Sequence, residues 1–189
     1  MKKLAVFFPG IGYTVDRSLL YFCRKIAAKY GYGALCVTYR DLPKDAKSSR
    51  EKMEECVRLA EKQAEETLSK VGLSEYDRIL FAGKSIGTIV SAALAEKSGL
   101  SGRIRQILYT PLEETLSFHI PEGIVFTGGN DPWVGGENSR IAALCREKGI
   151  PCFVVPDANH SLETDDPLGD VDSLKRIMLE TERFIREEA

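Results

Sequence analysis

A serine between two glycines is the feature of this 189-residue sequence that most directly suggests chemistry. Residues 81–87 read FAGKSIG, after an apolar run and before a segment rich in small residues. Gly83-Lys84-Ser85 resembles the end of a phosphate-binding P-loop, where backbone N–H groups, a lysine and a serine hold the phosphates and their metal ion. Gly83-x-Ser85-x-Gly87 instead matches the sharp strand-to-helix turn that presents a nucleophilic serine. The rest of the sequence has to decide between these two chemistries.

The phosphate-binding interpretation fails on spacing. A P-loop needs another glycine five residues before the glycine of Gly-Lys-Ser, and that position is Arg78, inside a predicted strand. Gly10 and Gly12 form a second glycine motif, but a dinucleotide-binding fingerprint needs its third glycine where Val15 stands. We therefore favour the nucleophile turn and predict no nucleotide and no other cofactor.

A nucleophilic serine needs a general base, because its hydroxyl is a weak nucleophile at neutral pH. The chain has only two histidines: His160 in ANHSLE, after the last apolar run, and His119 in SFHIPEG, before the fifth. Functional groups of a parallel sheet gather beyond the carboxyl ends of its strands. We therefore predict that His160 is the base and that His119 is a surface residue. Two isolated histidines also lack metal-ligand spacing, so we predict no metal site.

The base in turn needs an acceptor that holds its tautomer and stabilises the imidazolium. Asp131, in FTGGNDPWVG directly after the fifth apolar run, is the best candidate. Asn-Asp-Pro after two glycines is also a good turn sequence, which is the alternative explanation of this residue. Glu113, after the fourth run, and Asp157, three residues before the histidine, are rival acids.

The elements that would position these residues alternate along the chain. Short apolar runs predict β-strands over residues 4–8, 34–39, 78–82, 106–109, 123–127 and 152–155. Longer segments between them predict helices over residues 17–30, 46–70, 86–97, 137–148 and 171–187. This alternation predicts an α/β fold, a three-layer sandwich whose central sheet has about six mostly parallel strands. We expect one domain over residues 1–189, without a cap domain, since residues 110–122 are too few to form one.

The chain order Ser85, Asp131, His160 resembles that of the α/β-hydrolase superfamily. The chain looks like its small, capless serine esterases, similar to dienelactone hydrolase, from FFPGIGY through GKSIG and GGNDPWV to ANHSLE. The resemblance implies a minimal form of that fold, which begins at the strand that the family counts as its third. It also implies that Ser85 is the nucleophile, Asp131 the orienting acid and His160 the base.

The resemblance further implies an oxyanion hole made of backbone N–H groups. One donor would be Ile86, after the nucleophile. The other would be Ile11, with Gly12 as the alternative, in the loop PGIGY, where Pro9 replaces the family's usual histidine. The residues next to these motifs are candidates to line a shallow substrate pocket, with ordinary packing as the alternative: Gly12, Tyr13, Lys84, Pro111, Leu112 and Trp133.

Composition narrows the class of protein. A balance of 26 basic and 28 acidic residues provides no electrostatic case for binding nucleic acid or an anionic membrane. The N-terminal apolar run breaks at Pro9, earlier than in a signal peptide, and no run is long enough to span a bilayer. Five scattered cysteines without a C-x-x-C pair favour reduced thiols. We expect a cytoplasmic protein, while the oligomeric state stays open.

These observations predict a serine hydrolase that cleaves an ester or thioester of a small molecule through an acyl-enzyme. The alternative is a non-catalytic module that binds a ligand or partner on the same fold, because a fold does not dictate a function. A metal-dependent hydrolase is a weaker third interpretation, because the metal-ligand spacing is missing.

Overall fold

The fold is organised around one parallel β-sheet. A computed structural model describes residues 1–43 and 45–187, without the side chains of residues 47, 101 and 137. The strands are β1 (Lys3–Phe8), β2 (Gly33–Cys36), β3 (Arg78–Lys84), β4 (Ile104–Tyr109), β5 (Gly123–Gly128) and β6 (Cys152–Val155). Their spatial order is β2-β1-β3-β4-β5-β6, and every pair is parallel. The predicted sheet is therefore confirmed, and it is wholly parallel within the described residues.

Helices cover both faces of this sheet. They are α1 (Ser18–Lys29), α2 (Arg50–Leu68), α3 (Ile86–Lys97), α4 (Ile141–Lys148) and α5 (Pro167–Arg186). Helices α1 and α5 pack into the core on one face, and α2, α3 and α4 pack into the core on the other. Strands β1 and β3 are nearly continuous in apolar residues, as expected for strands whose two faces are both buried. The three-layer sandwich predicted from the sequence is confirmed.

The strand order marks the place where a site should form. From β1 the chain goes to β2 on one side, and then returns to β3 on the other side of β1. Loops that leave β1 and β3 therefore diverge, and a crevice opens beyond their carboxyl ends. Both sequence motifs with glycine pairs follow these two strands, one after Phe8 and one around Ser85.

Several boundaries differ from the predicted ones. Strand β2 ends at Cys36 and not at residue 39, and the chain then turns through Asp41 with a φ of 53°. Helix α2 begins only at Arg50, because the Ser49 hydroxyl caps it by accepting a hydrogen bond from the Lys52 N–H. The short 3₁₀ turn Ala46–Ser48 precedes this cap.

Two later helices also begin elsewhere than predicted. Helix α4 starts at Ile141, since two 3₁₀ turns, Pro132–Val134 and Gly136–Asn138, occupy the segment before it. Helix α5 starts at Pro167, four residues early, because the Asp166 carboxylate caps the N–H of Leu168 at 3.2 Å. None of the described helices is long and apolar enough to cross a membrane.

Strand β6 forms one edge of the sheet and is only four residues long. Pro151 and Pro156 stand directly before and after it. Phe153 and Val154 are 38% and 47% exposed, since no further strand pairs with this edge within the described residues.

Candidate active site

Ser85 lies on the turn between β3 and α3 in a strained backbone conformation. Its φ of 56° and ψ of −124° fall outside the regions that residues other than glycine ordinarily adopt. Its N–H donates to the Tyr109 carbonyl of β4 at 3.0 Å, and its own carbonyl accepts from the Thr88 hydroxyl at 2.6 Å. The surrounding sheet and helix therefore hold the serine in a conformation that it would not adopt alone.

The two glycines of the motif allow this turn because atoms pack directly against their α-carbons. A Cβ at Gly83 would lie 2.6 Å from the carbonyl oxygen of Gly87, in the first turn of α3. A Cβ at Gly87 would lie 2.2 Å from the Phe8 carbonyl oxygen and 2.5 Å from that of Pro9. Both distances are shorter than any real contact, so a side chain at either position would force the helix or the end of β1 to move.

His160 lies in the loop after β6, where side-chain and backbone hydrogen bonds shape the chain. The Asn159 side-chain oxygen accepts from the N–H of Ser161 at 2.7 Å and from that of Glu163 at 3.4 Å. Gly128, at the end of β5, lets this loop approach, since a Cβ there would lie 2.2 Å from the Ala158 carbonyl oxygen. The loop is thereby held against the neighbouring strand.

Asp131 follows β5 and is completely buried. One carboxylate oxygen accepts from the N–H of Trp133 at 2.9 Å. The other lies 2.7 Å from Nδ1 of His160. A buried carboxylate in a protein is normally paired and hydrogen-bonded, and both oxygens of Asp131 have such a partner.

The three side chains form one hydrogen-bonded chain. Nε2 of His160 lies 2.8 Å from the Ser85 hydroxyl oxygen, opposite the nitrogen that contacts Asp131. One tautomer satisfies both contacts: Nδ1–H donates to the carboxylate, and Nε2 accepts the serine proton. This is the arrangement in which an imidazole can take a proton from a serine while a carboxylate stabilises the resulting cation.

The loop after β1 lies against the serine and carries the candidate oxyanion donors. A Cβ at Gly10 would lie 3.2 Å from the Cβ of Ser85, so the two backbones are in close contact. Gly10 and Tyr13 bond each other, N–H to carbonyl, at 3.0 and 3.3 Å, which closes a small turn. The N–H groups of Ile11 and Gly12 at its tip have no acceptor among the described residues. Ile86 is in the first turn of α3, where an N–H has no intrahelical acceptor.

The residues proposed to line the pocket fall into two groups. Gly12 is exposed on the loop, and Trp133 is half-buried with its ring stacked on His160 at 5.2 Å between centroids. Lys84 is only 2% exposed, and its ammonium lies 5.0 Å from the ring centre of Tyr13, which is also buried. Pro111 and Leu112 are buried too. Two of the six residues are therefore accessible and four are buried, although the buried Tyr13 also lines a cavity beside this loop.

Tyr13 has a structural role in this loop. Its hydroxyl accepts from the Leu19 N–H at 3.1 Å and lies 3.3 Å from the Ser18 hydroxyl, so it ties the loop to the start of α1. Burial raises the pKa of the Tyr13 phenol, which stays neutral.

The rival candidates lie outside the hydrogen-bonded chain. Glu113 is partly exposed and lies 4.0 Å from the Arg140 guanidinium. Asp157 is exposed and has the positive φ of 56° that is typical of a turn residue. His119 is exposed, and its N–H donates to the Glu96 carboxylate. Among the described residues, no group of three potential ligands could hold a metal ion.

Residues to which the sequence assigned no role also position the site, and two of them lie within the motifs themselves. Gly128 and Asn159 shape the histidine loop, and Thr88 links the serine turn to Thr115 through a 2.7 Å hydrogen bond. The signal for Asn159 was its type: asparagine commonly bonds the backbone N–H two residues on. The contact between Thr88 and Thr115 joins residues distant in sequence and left no such signal.

Solved structures of other proteins share this architecture. A serine hydrolase homologue from Coxiella burnetii is 17% identical, with a TM-score of 0.63 over 100% of this chain and 85% of its own. A serine hydrolase without a lid from Xanthomonas campestris is 14% identical, with a TM-score of 0.59 over 98% and 84% of the two chains. An esterase from Pyrococcus furiosus is 14% identical, with a TM-score of 0.62 over 97% and 84%.

Comparison by sequence, in contrast, finds no match: no protein-family model matches the chain, and no curated protein matches it. At identities of 14–17% the structural likeness concerns the fold alone. It agrees with the all-parallel sheet and the helices that flank it. This chain therefore has the α/β-hydrolase fold.

Proposed function

We propose that this protein is a serine hydrolase that cleaves a carboxylic ester or thioester through an acyl-enzyme. One observation carries the proposal: Ser85, His160 and Asp131 form a continuous hydrogen-bonded chain, with the serine on a strained turn. Hydrogen-bond distances between a nucleophile, a base and an orienting acid are the signature of nucleophilic catalysis.

In the first half of the reaction, Ser85 attacks the carbonyl carbon of the substrate while Nε2 of His160 takes its proton. Asp131 accepts the Nδ1–H bond throughout and stabilises the imidazolium that forms. The negative charge that develops on the carbonyl oxygen is received by the backbone N–H groups of Ile86 and Ile11. Each such donor is worth about 2.7–4 kcal/mol of transition-state stabilisation.

The tetrahedral intermediate then collapses and leaves the acyl group on Ser85. His160 returns its proton to the departing alcohol or thiol, so the leaving group departs neutral. In the second half, His160 takes a proton from water, which attacks the acyl-enzyme. The acid is released, and Ser85 regains its proton.

The loop after β1, whose Gly10 lies against Ser85, lines a cavity of about 400 Å³ in which a small substrate would fit. Its walls are mainly apolar, and the one carboxylate among them, Asp16, is paired with the Arg24 guanidinium at 2.8 Å. A cavity of this size and chemistry suits a neutral, apolar group more than an anionic one. We therefore propose neutral esters with a short or medium-length acyl group as substrates.

A fluorophosphonate probe tests the proposal most directly, because it reacts with an activated serine. We expect a single adduct, located on Ser85 by peptide mass spectrometry, and no adduct in Ser85→Ala. Hydrolysis of p-nitrophenyl esters should vanish in the same variant. If the folded wild-type protein stays unlabelled while a known esterase is labelled in parallel, the proposal is wrong. Binding of esters without turnover would then favour a non-catalytic module.

A further inference from the structure

Trp133 contacts both the candidate acid and the candidate base. Its indole ring stacks on the imidazole of His160, with 5.2 Å between ring centroids and 27° between ring planes. Its backbone N–H donates to the Asp131 carboxylate at 2.9 Å. This geometry lies within the range of favourable stacked aromatic pairs.

The local sequence holds Trp133 in this place. Asp131 caps the 3₁₀ turn Pro132–Val134, and the capping bond goes to the N–H of Trp133 itself. The indole also packs against the buried core on the α3 side of the sheet. The ring is therefore held by a turn and by packing, and it does not depend on His160 for its position.

We propose that Trp133 is a positioning residue that stabilises the protonated form of His160 with the face of its indole ring. The part of this inference that concerns catalysis rests on the proposed function. The effect of the indole on the protonation of His160 does not depend on it. The imidazolium forms once in acylation and once in deacylation, so the ring acts in both halves of the reaction. The π-face of tryptophan attracts a cation more strongly than that of any other side chain.

Other groups also affect the titration of His160, and their effects have to be measured separately from that of the indole ring. The Asp131 carboxylate faces Nδ1, and the Ser85 hydroxyl faces Nε2. The acidic residues of the histidine's own loop are Asp157, Glu163, Asp165 and Asp166.

Amide variants of Asp157 and Glu163 measure what the negative charges of this loop contribute to the titration of His160. The effect of the indole should persist in both backgrounds, because it does not depend on a carboxylate.

The direction of the effect follows from the sign of the interaction. Stabilising the imidazolium raises the pH at which His160 loses its proton, so removing the indole lowers it. For Trp133→Leu we expect the midpoint of the His160 titration to fall by about 0.4–1.5 pH units. Trp133→Phe should fall between Leu and the wild type. The acidic limb of kcat/KM should move in the same direction, and kcat at neutral pH should drop by about 2- to 30-fold with little change in KM.

The chain offers two direct readouts of this pair. Trp133 is the only tryptophan, so the intrinsic indole fluorescence of the wild type reports on this ring alone. Protonation of the stacked imidazole should quench it between about pH 5 and 8. Only two histidines are present, so His119→Gln leaves a single imidazole signal, which NMR can follow in every Trp133 variant.

We expect the fluorescence and NMR midpoints of the wild type to coincide, and His160→Gln to abolish the fluorescence step. An unchanged NMR midpoint in Trp133→Leu would overturn the proposal. Wild-type indole fluorescence that does not change while His160 titrates would overturn it too. If Trp133→Leu fails to fold, Trp133→Phe decides the matter with the smaller shift. None of these titrations requires turnover. An intact titration without esterase activity would refute the proposed function alone.

Discussion

The serine turn and the histidine loop place their side chains by different physical means. At the serine turn the strain falls on Ser85 itself, and two glycines admit backbone atoms that any side chain would displace. In the histidine loop the positive φ angles fall on Asp157 and Leu162, on either side of His160. The loop is shaped by the hydrogen bonds of Asn159 and stays partly exposed.

This difference indicates where the site is rigid and where it can adjust. The serine turn is built between two central strands and a helix that is almost completely buried, so it has no freedom to relax. The histidine loop follows an edge strand. Ala158 and Leu162 anchor it in the core, but the hydrogen bonds of Asn159 between them are exposed and open more easily. A rigid nucleophile opposite a more mobile base would let the imidazole move slightly as it carries the proton between serine and leaving group.

We expect the largest loss of activity from replacing Asp131, the acceptor that orients His160. In Asp131→Asn the amide can donate to Nδ1, which favours the tautomer that places the proton on Nε2 and blocks acceptance from Ser85. We expect kcat for ester hydrolysis to fall by about 10⁴ while the fold is retained. The matched control is Glu113→Gln, because Glu113 forms only an exposed pair with Arg140. A severe loss in the control, with little in Asp131→Asn, would show that the acid is misassigned.

The next prediction tests whether close backbone contacts hold the serine turn in place. In Gly87→Ala the new Cβ would lie 2.2 Å from the Phe8 carbonyl oxygen and push away the loop that carries Ile11. Losing one oxyanion donor lowers kcat by about 10²–10³. Kinetics with an ester substrate and thermal unfolding should be measured together.

Gly102→Ala is the control for this prediction, since no atom lies within 4 Å of a Cβ there and the backbone is unstrained. It should leave kcat unchanged. Full activity in Gly87→Ala would show that the turn is less constrained than its contacts indicate.

The smallest effect tests the hydrogen-bonded side of the comparison. Asn159→Ala removes the oxygen that accepts from the N–H groups of Ser161 and Glu163. A lost hydrogen bond of this kind is worth about 1 kcal/mol, so we expect kcat to fall by roughly fivefold. Asn159→Asp keeps the acceptor and should restore most of the activity. If alanine and aspartate behave alike, the loop is held by packing and not by this acceptor.

The sequence alone could predict the sheet and the three residues of the hydrogen-bonded chain for one reason. Parallel strands end at the same edge of a sheet, so a serine after the third strand, an aspartate after the fifth and a histidine after the sixth must lie near each other. The existence and type of buried strands follow from continuous apolar runs. The ends of the strands are harder to predict, as β2 shows, because an edge strand pairs with one neighbour only and its last residues can leave the sheet.

The spacing of residues along the sequence could not predict which way each side chain points. Lys84 adjoins Ser85 in the sequence but packs against Tyr13, because it is the last residue of β3 and faces the same side of the sheet as Leu80 and Ala82. The stacking of Trp133 on His160 joins two loops that are 27 residues apart in the sequence, and nothing in either loop alone predicts it. Contacts of this kind arise from the geometry of packed loops, which composition and periodicity do not contain.

The proline after β6 bears on how this protein behaves in a crowded solution. An edge strand with exposed Phe153 and Val154 could template pairing with another chain and start aggregation. Pro151 faces β5, where its carbonyl accepts from the Val125 N–H at 2.8 Å, so it does not act on the open edge. Pro156 falls on the open side and has no N–H to donate, so a foreign ladder would lose a donor directly after β6. Since His160 follows shortly after, Pro156 would keep a neighbouring chain from pairing onward into the loop on which the base is held.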